Sequence, residues 1–209
     1  MSTLTQPAQT KLRDNHELAQ LFLIAESRHL NETEYQAYLR LAPENADLVA
    51  AAQEIMAAEL SVVTNTIKQV FFLYPFSKYH EMPKDKCIRD VCYVSAYATH
   101  SMLMADPDWF RDKLLIWLKT ILQAFSYPAR EERQLAVPLH DMKNNLLGDP
   151  NQLPYPEITA HADTLPKRQR AIYETYARLI ANYKEVLSPK AFAHIQPHLQ
   201  LAVDILASE

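Results

Sequence analysis

One glycine, Gly148, serves all 209 residues of this chain. Tight hairpins and phosphate-cradling loops draw on glycine because it enters left-handed backbone space at no steric cost. A chain this poor in glycine is steered away from sheet meanders and toward helices joined by Pro- and Asn-containing turns. The same scarcity excludes the G-x-G-x-x-G and G-x-x-x-x-G-K-[ST] nucleotide loops. Apolar spacing agrees with a helical chain. Leu18, Leu21 and Leu23 mark a short amphipathic helix over 15–25. Asn31, with Glu34 three residues on, reads as the N-cap of a helix running through Leu41. From Ala46 to Phe72 the apolar residues keep helical spacing, in a span long enough for one helix or two. Helices are expected again over 84–104, from Asp106-Pro107-Asp108 to about Phe125, and over 130–147, 164–187 and 189–207. The stretch 73–83, with its aromatics and prolines, reads as a loop. The fold class is all-α, with about eight to nine helices.

Composition narrows the function classes. The formal net charge is −4, so no basic excess exists to hold a phosphate backbone, and no nucleic-acid partner is expected. No window reaches 18 apolar residues and the start is polar, so neither a membrane span nor a signal peptide is expected. The two cysteines, Cys87 and Cys92, lie five apart on one helix and point to different faces, which disfavours a bridge. This predicts a reducing, cytoplasmic compartment. The histidines form no H-E-x-x-H. His194 and His198 stand i,i+4 but have Pro197 between them, so no metal site is expected. His100, on the Cys helix, could ligate haem but has no persuasive partner; a core or surface histidine is the simpler reading. Tyr173, Tyr176 and Tyr183 read as packing. No G-x-S-x-G and no Ser-His-Asp set can be inferred, and the chain is not expected to be an enzyme.

The densest chemistry is Lys86-Cys87-Ile88-Arg89-Asp90. Helix phasing puts Cys87 and Asp90 on one face, with Lys86 and Arg89 on the adjacent face. A sulfur nucleophile beside a carboxylate and two cations suits an acidic, nitrogen-rich ligand: cations for its acids, Asp90 for its N–H groups, Cys87 for a covalent link. The cations and the place in a first helical turn would favour the thiolate. An isolated C-x-R-D also reads as a buried free cysteine beside a surface Arg–Asp pair.

The surroundings extend the pattern. A helix containing Val62 to Phe72 leads through Tyr74-Pro75 into a polar loop ending at Pro83-Lys84-Asp85-Lys86-Cys87. Past the cysteine come Tyr93, Tyr97 and His100, then Leu114 to Phe125, Ser126-Tyr127-Pro128 and Asp141-Met142-Lys143. Arg28-His29-Leu30-Asn31-Glu32-Thr33-Glu34 is similar to an R-Y-L-x-x-x-E helix entry. In this order and spacing, roughly residues 15–147 resemble the phycobiliproteins, the globin-like subunits of light-harvesting antennae.

That resemblance implies a globin-like fold and an open-chain tetrapyrrole (a bilin such as phycocyanobilin) as cofactor. It makes Cys87 the thioether anchor, Asp90 the acceptor for the inner pyrrole N–H groups, and Arg89 and Lys86 the partners of the propionates. Held extended and rigid, the pigment would keep a long excited state. The implied partners are phycobiliprotein subunits or bilin-handling enzymes, and the implied location is cytoplasmic or peripheral to the thylakoid through the phycobilisome. The family's pairing through its N-terminal helices implies a possible homodimer through the helix over 15–25; C-terminal helices covering the same surface would instead leave a monomer. Departures are visible: Ala96 stands where an Arg is usual, His100 where a Tyr is common, and Ala105-Asp106-Pro107-Asp108 replaces a Gly-rich turn. The expected organisation is a globin domain over 1–147, a Pro-rich linker over 148–158 and a C-terminal helical extension over 159–209. A paralogue tied to bilin biosynthesis or phycobilisome turnover, chromophore-free and acting through that extension, is the alternative role.

Overall fold

A computed structural model describes residues 16–74, 84–124 and 153–208, and every regular element among them is helical. Helix α1 is His16–Ile24 and α2 is Glu32–Leu41. A single turn at Pro43–Asn45 leads into α3, Ala46–Leu73, and α4 is Lys84–Met104. Next come α5, Pro107–Phe110, a wide π turn over Arg111–Leu115, and α6, Ile116–Ala124. The last three are α7, Pro156–Ala162, α8, Lys167–Val186, and α9, Pro189–Leu206.

Local chemistry sets most of these boundaries. Asn31 accepts from the Glu34 backbone N–H at 3.0 Å while the Glu34 carboxylate accepts from the Asn31 N–H at 2.7 Å, a complete capping box. Arg28 clasps the same Glu34 through both arms of its guanidinium, at 2.7 and 2.8 Å. The R…E spacing read from the sequence is therefore a clasp that fixes the entry to α2. Its charge lowers the pKa of Glu34, chiefly through that side-chain bond. With neither Gly nor Pro between Ala46 and Leu73, α3 runs unbroken for 28 residues, which decides the question of one helix or two. Asp106 caps α5 by accepting from the Trp109 N–H, with Pro107 in the first turn.

Scarce glycine leaves a mark after α4. Ala105 takes the left-handed conformation, φ 49°, that a glycine would occupy freely. The turn closes as a Schellman motif, with the Ala105 N–H on the Met102 carbonyl and the Asp106 N–H on that of Ser101. The two bonds hold the alanine against a conformational cost of about 1–2 kcal/mol.

The long helices share one core. Helix α3 packs against α4 and α8, and α9 packs against α8, α4 and α3. Leu179 and Tyr183 of α8 and Ile195, Leu199 and Leu206 of α9 are buried in the same cluster as Ile55, Val63, Val94 and Leu103. Pro197 lies inside α9, yet the helix continues through it, carried by that buried face. The stretch expected as a linker is helical from Pro156. Arg178, fully buried, ties it down by donating to the Pro154 carbonyl at 2.7 Å and pairing with buried Glu174 at 2.6 Å. The helix expected over 130–147 and the Met142-Lys143 pair lie outside the described residues.

Candidate functional site

Helix α4 positions the motif. Lys84, Asp85 and Lys86 are exposed in its first turn, and Cys87 and Asp90 follow on one face, half-buried, as i,i+3 phasing requires. Both line a cleft of about 60 Å³. Its other walls come from far along the chain: Ile67, Val70 and Phe71 of α3, Leu118 and Leu122 of α6, and Ile172, Thr175 and Tyr176 of α8. Spacing along α4 foretells the Cys87–Asp90 pair. The α6 wall had a sequence signal in its i,i+4 leucines, whereas the α8 wall had none beyond an aromatic stripe that reads as packing.

Arg89 turns to its neighbour. Its Nε and Nη2 donate to Asp90 Oδ1 at 2.9 and 2.7 Å, and its guanidinium lies 5.8 Å over the Tyr93 ring. Arg89 and Asp90 remain 53% and 41% exposed, so water screens the pair and a ligand can redirect it. Both bonds land on one oxygen, and Asp90 Oδ2 receives none from a described residue. Lys86 stands in solvent beside them. Of the four residues singled out in the sequence, Cys87 and Asp90 line the cleft, while Lys86 and Arg89 are exposed beside them on α4 and are not among its walls.

The thiol departs from expectation. Burial first, and the Asp90 charge second, push the Cys87 pKa up to about 11. Lys86 and Arg89 do not offset this, because the one is solvated and the other is already spent on Asp90. Cys92, whose thiol is pushed up to about 12 by burial and by Glu59, faces away from the cleft toward Glu59. Neither cysteine is in a disulfide.

Other candidates settle into packing. His100 is fully buried against Phe22, Tyr97 and Trp109, at centroid distances of 5.1, 6.3 and 6.1 Å. Neither ring nitrogen meets a well-formed hydrogen-bond partner among the described residues, although the nearby Arg28 backbone favours the charged ring against the larger effect of burial. His198 bonds Ser101 at 2.8 Å instead of pairing with His194. Tyr176 and Tyr183 are buried in the core, and Tyr173 packs on His161 at 4.8 Å. No group of three metal-binding side chains is found among the described residues. No helix among them is long and apolar enough to cross a membrane.

An all-helical globin-like core, with a Cys–Asp pair at the open end of its central helix, defines the class. The family model described as Phycobilisome protein matches residues 25–182, and the chain belongs to that family. The match runs from the turn before the Arg28–Glu34 clasp to the last turn of α8. Neither the curated proteins nor the solved structures give a match.

Proposed function

We propose that this phycobilisome protein binds an open-chain tetrapyrrole at the start of α4. Cys87 is the covalent anchor, Asp90 the acceptor for pyrrole N–H groups, and Arg89 and Lys86 the partners of the propionates. The observation that carries the reading is the meeting of Cys87 and Asp90 in one mainly apolar cleft. Donor chemistry fits: a carboxylate with one oxygen open accepts charge-assisted N–H bonds, and guanidinium binds a carboxylate through two parallel bonds. Adding the thiol S–H across an exocyclic C=C of the pigment forms the C–S bond and places the proton on the neighbouring carbon, so no oxidant enters. With the thiol held up near 11, an external base or a lyase has to take that proton.

Co-expression with bilin-producing enzymes, followed by zinc-stained denaturing gels, tests the anchor. Pigment on the wild type and none on Cys87→Ala supports it; pigment retained by Cys87→Ala sinks it. Two observations favour a second reading, a chromophore-free protein that meets phycobiliprotein subunits or bilin-handling enzymes: the small cleft and the raised thiol pKa. Absorbance of protein from its native source separates the two. Visible bilin bands belong to the first reading; a colourless protein co-purifying with antenna subunits belongs to the second. A contact between copies through Leu23 and Ile24, both exposed on α1, belongs to this proposal too. Leu18 and Phe22 of the same helix are already buried on their own core.

A further inference from the structure

A cavity of about 230 Å³ lies between α1 and the start of the α5–α6 helix. Helix spacing builds both walls. Gln20, Leu23 and Glu26 stand three apart along α1 and just past its end, and Trp109 and Lys113 stand four apart across α5 and the π turn, so each set shares one face. Phe22 is buried and Trp109 half-buried, while Leu23, Glu26 and Lys113 are exposed. The cavity is thus apolar within and charged at its edge, with a carboxylate on one wall and an ammonium on the other.

The core holds these groups in place. Tyr97, buried on α4, donates its O–H to Glu26 Oε1 at 2.9 Å and stacks on Trp109, with the rings 5.2 Å apart and 22° from parallel. One side chain therefore fixes both the carboxylate and the indole. Glu26 Oε2 receives no bond from a described residue. Arg111 has taken the acids nearest Lys113, at 2.7 Å from Asp108 and 2.9 Å from Asp112. Among the described residues Lys113 has no ion pair, with Glu26 or any other, so both charges stay open to a ligand. Lys113 also lies within the π turn over Arg111–Leu115, and such turns are rare in helices and recur at functional sites.

We propose that this cavity binds a free amino acid with an aromatic side chain, its ammonium on Glu26, its carboxylate on Lys113 and its ring against Trp109. Opposite charges on facing walls select a ligand that carries both, since a lone anion or cation pairs with one wall group and leaves the other unmatched. Size agrees. A cavity of about 150 Å³ takes a benzene ring, so this one has room for a ring with a short charged chain. The indole supplies a flat face for that ring. The site shares no lining residue with the Cys87 cleft, and its occupancy does not depend on a pigment there.

The test is calorimetric titration of the full-length protein with L-phenylalanine, and with phenylacetate and phenethylamine, which each lack one of its charges. On the proposal, phenylalanine binds saturably at one site per chain, and each single-charge probe binds at least about tenfold more weakly, the worth of one charge-assisted bond. Glu26→Gln keeps an acceptor for Tyr97 while removing the charge, and phenylalanine should then lose its advantage over phenylacetate. Lys113→Met should likewise remove its advantage over phenethylamine. Both side chains are exposed, so neither change touches the core, and far-UV circular dichroism with a melting curve checks this. Absence of saturable phenylalanine binding to the wild type overturns the proposal. So does an affinity unchanged in the folded Glu26→Gln and Lys113→Met variants, or a single-charge probe that binds as tightly as phenylalanine.

Discussion

The two ends of α4 are built to opposite specifications. From Val94 to Met104 the helix is buried on every side, including Ser95, Thr99, His100 and Ser101. From Lys84 to Asp90 no residue is buried, and all the side chains but Ile88 are charged or sulfur-bearing. The far end finds partners for most of its polar groups inside the protein. Thr99 bonds back to the Ser95 carbonyl, Ser95 meets Tyr183 at 2.7 Å, Ser101 meets His198, and the Leu103 carbonyl accepts from Tyr38 at 2.6 Å. At the near end Arg89 pairs with its sequence neighbour Asp90 and lies over the Tyr93 ring. One helix thus joins a rigid half, held from all sides, to an open half whose geometry a ligand can still complete. Stability lives in the first; on the proposed reading, recognition belongs to the second.

The largest expected contrast is chemical. With Cys92 replaced by Ser, alkylation of Cys87 should be very slow at pH 7 and rise about tenfold per pH unit until it levels near 11, as the thiolate fraction dictates. Rapid modification at neutral pH would mean the open end activates its sulfur after all. Next comes packing. Leu103→Ala, at a fully buried site, should cost about 2–5 kcal/mol by urea unfolding. A cost near zero would break the claim that the far half is the rigid one.

Acid sharpens the comparison further. Burial holds the His100 pKa down at about 3, with His29 adding repulsion, and Arg28 and Glu34 acting in opposite directions. His198 is held down at about 4 by burial. An unfolded histidine titrates near 6.5, so the unfolded chain binds protons that the folded chain refuses. Their neutral forms support the fold fully above about pH 6.5, and that support is lost as pH falls from there toward 3–4. His100→Phe should flatten the fall in melting temperature over this window; an unchanged pH profile would show that the imidazole is not held neutral. Tyr38→Phe should cost about 1–3 kcal/mol, because the Leu103 carbonyl and the Asn45 amide both lose a bond inside the protein. The smallest effect belongs to the open end: Arg89→Ala should leave the urea midpoint unchanged, since its pair with Asp90 lies in water. A marked loss of stability there would mean the rim is structural.

Much of this was legible in the order of residues. The Asn31 capping box, the Asp106 cap and the bounds of α4 follow from residues at most four apart, where helix geometry alone decides who meets whom. The i,i+3 placement of Cys87 and Asp90 belongs to the same class, whereas the family resemblance, which the match over 25–182 supports, was legible in the order of motifs along the chain. The start of α7 at Pro156 escaped, because a Pro-rich stretch reads as linker until Arg178, far along the chain, tethers it.

The sequence by itself determined an all-helical chain, most of its helix ends and the face of α4 that carries the thiol and the carboxylate. Tertiary structure alone decided the size of the cleft, the raised pKa of Cys87 and the sealing of His100 among three rings. The physical reason is range. Helix phasing and capping are contacts between near neighbours, written into local spacing. Desolvation and cavity volume depend on which side chains of α3, α6 and α8 arrive from elsewhere, and no local pattern on α4 records them.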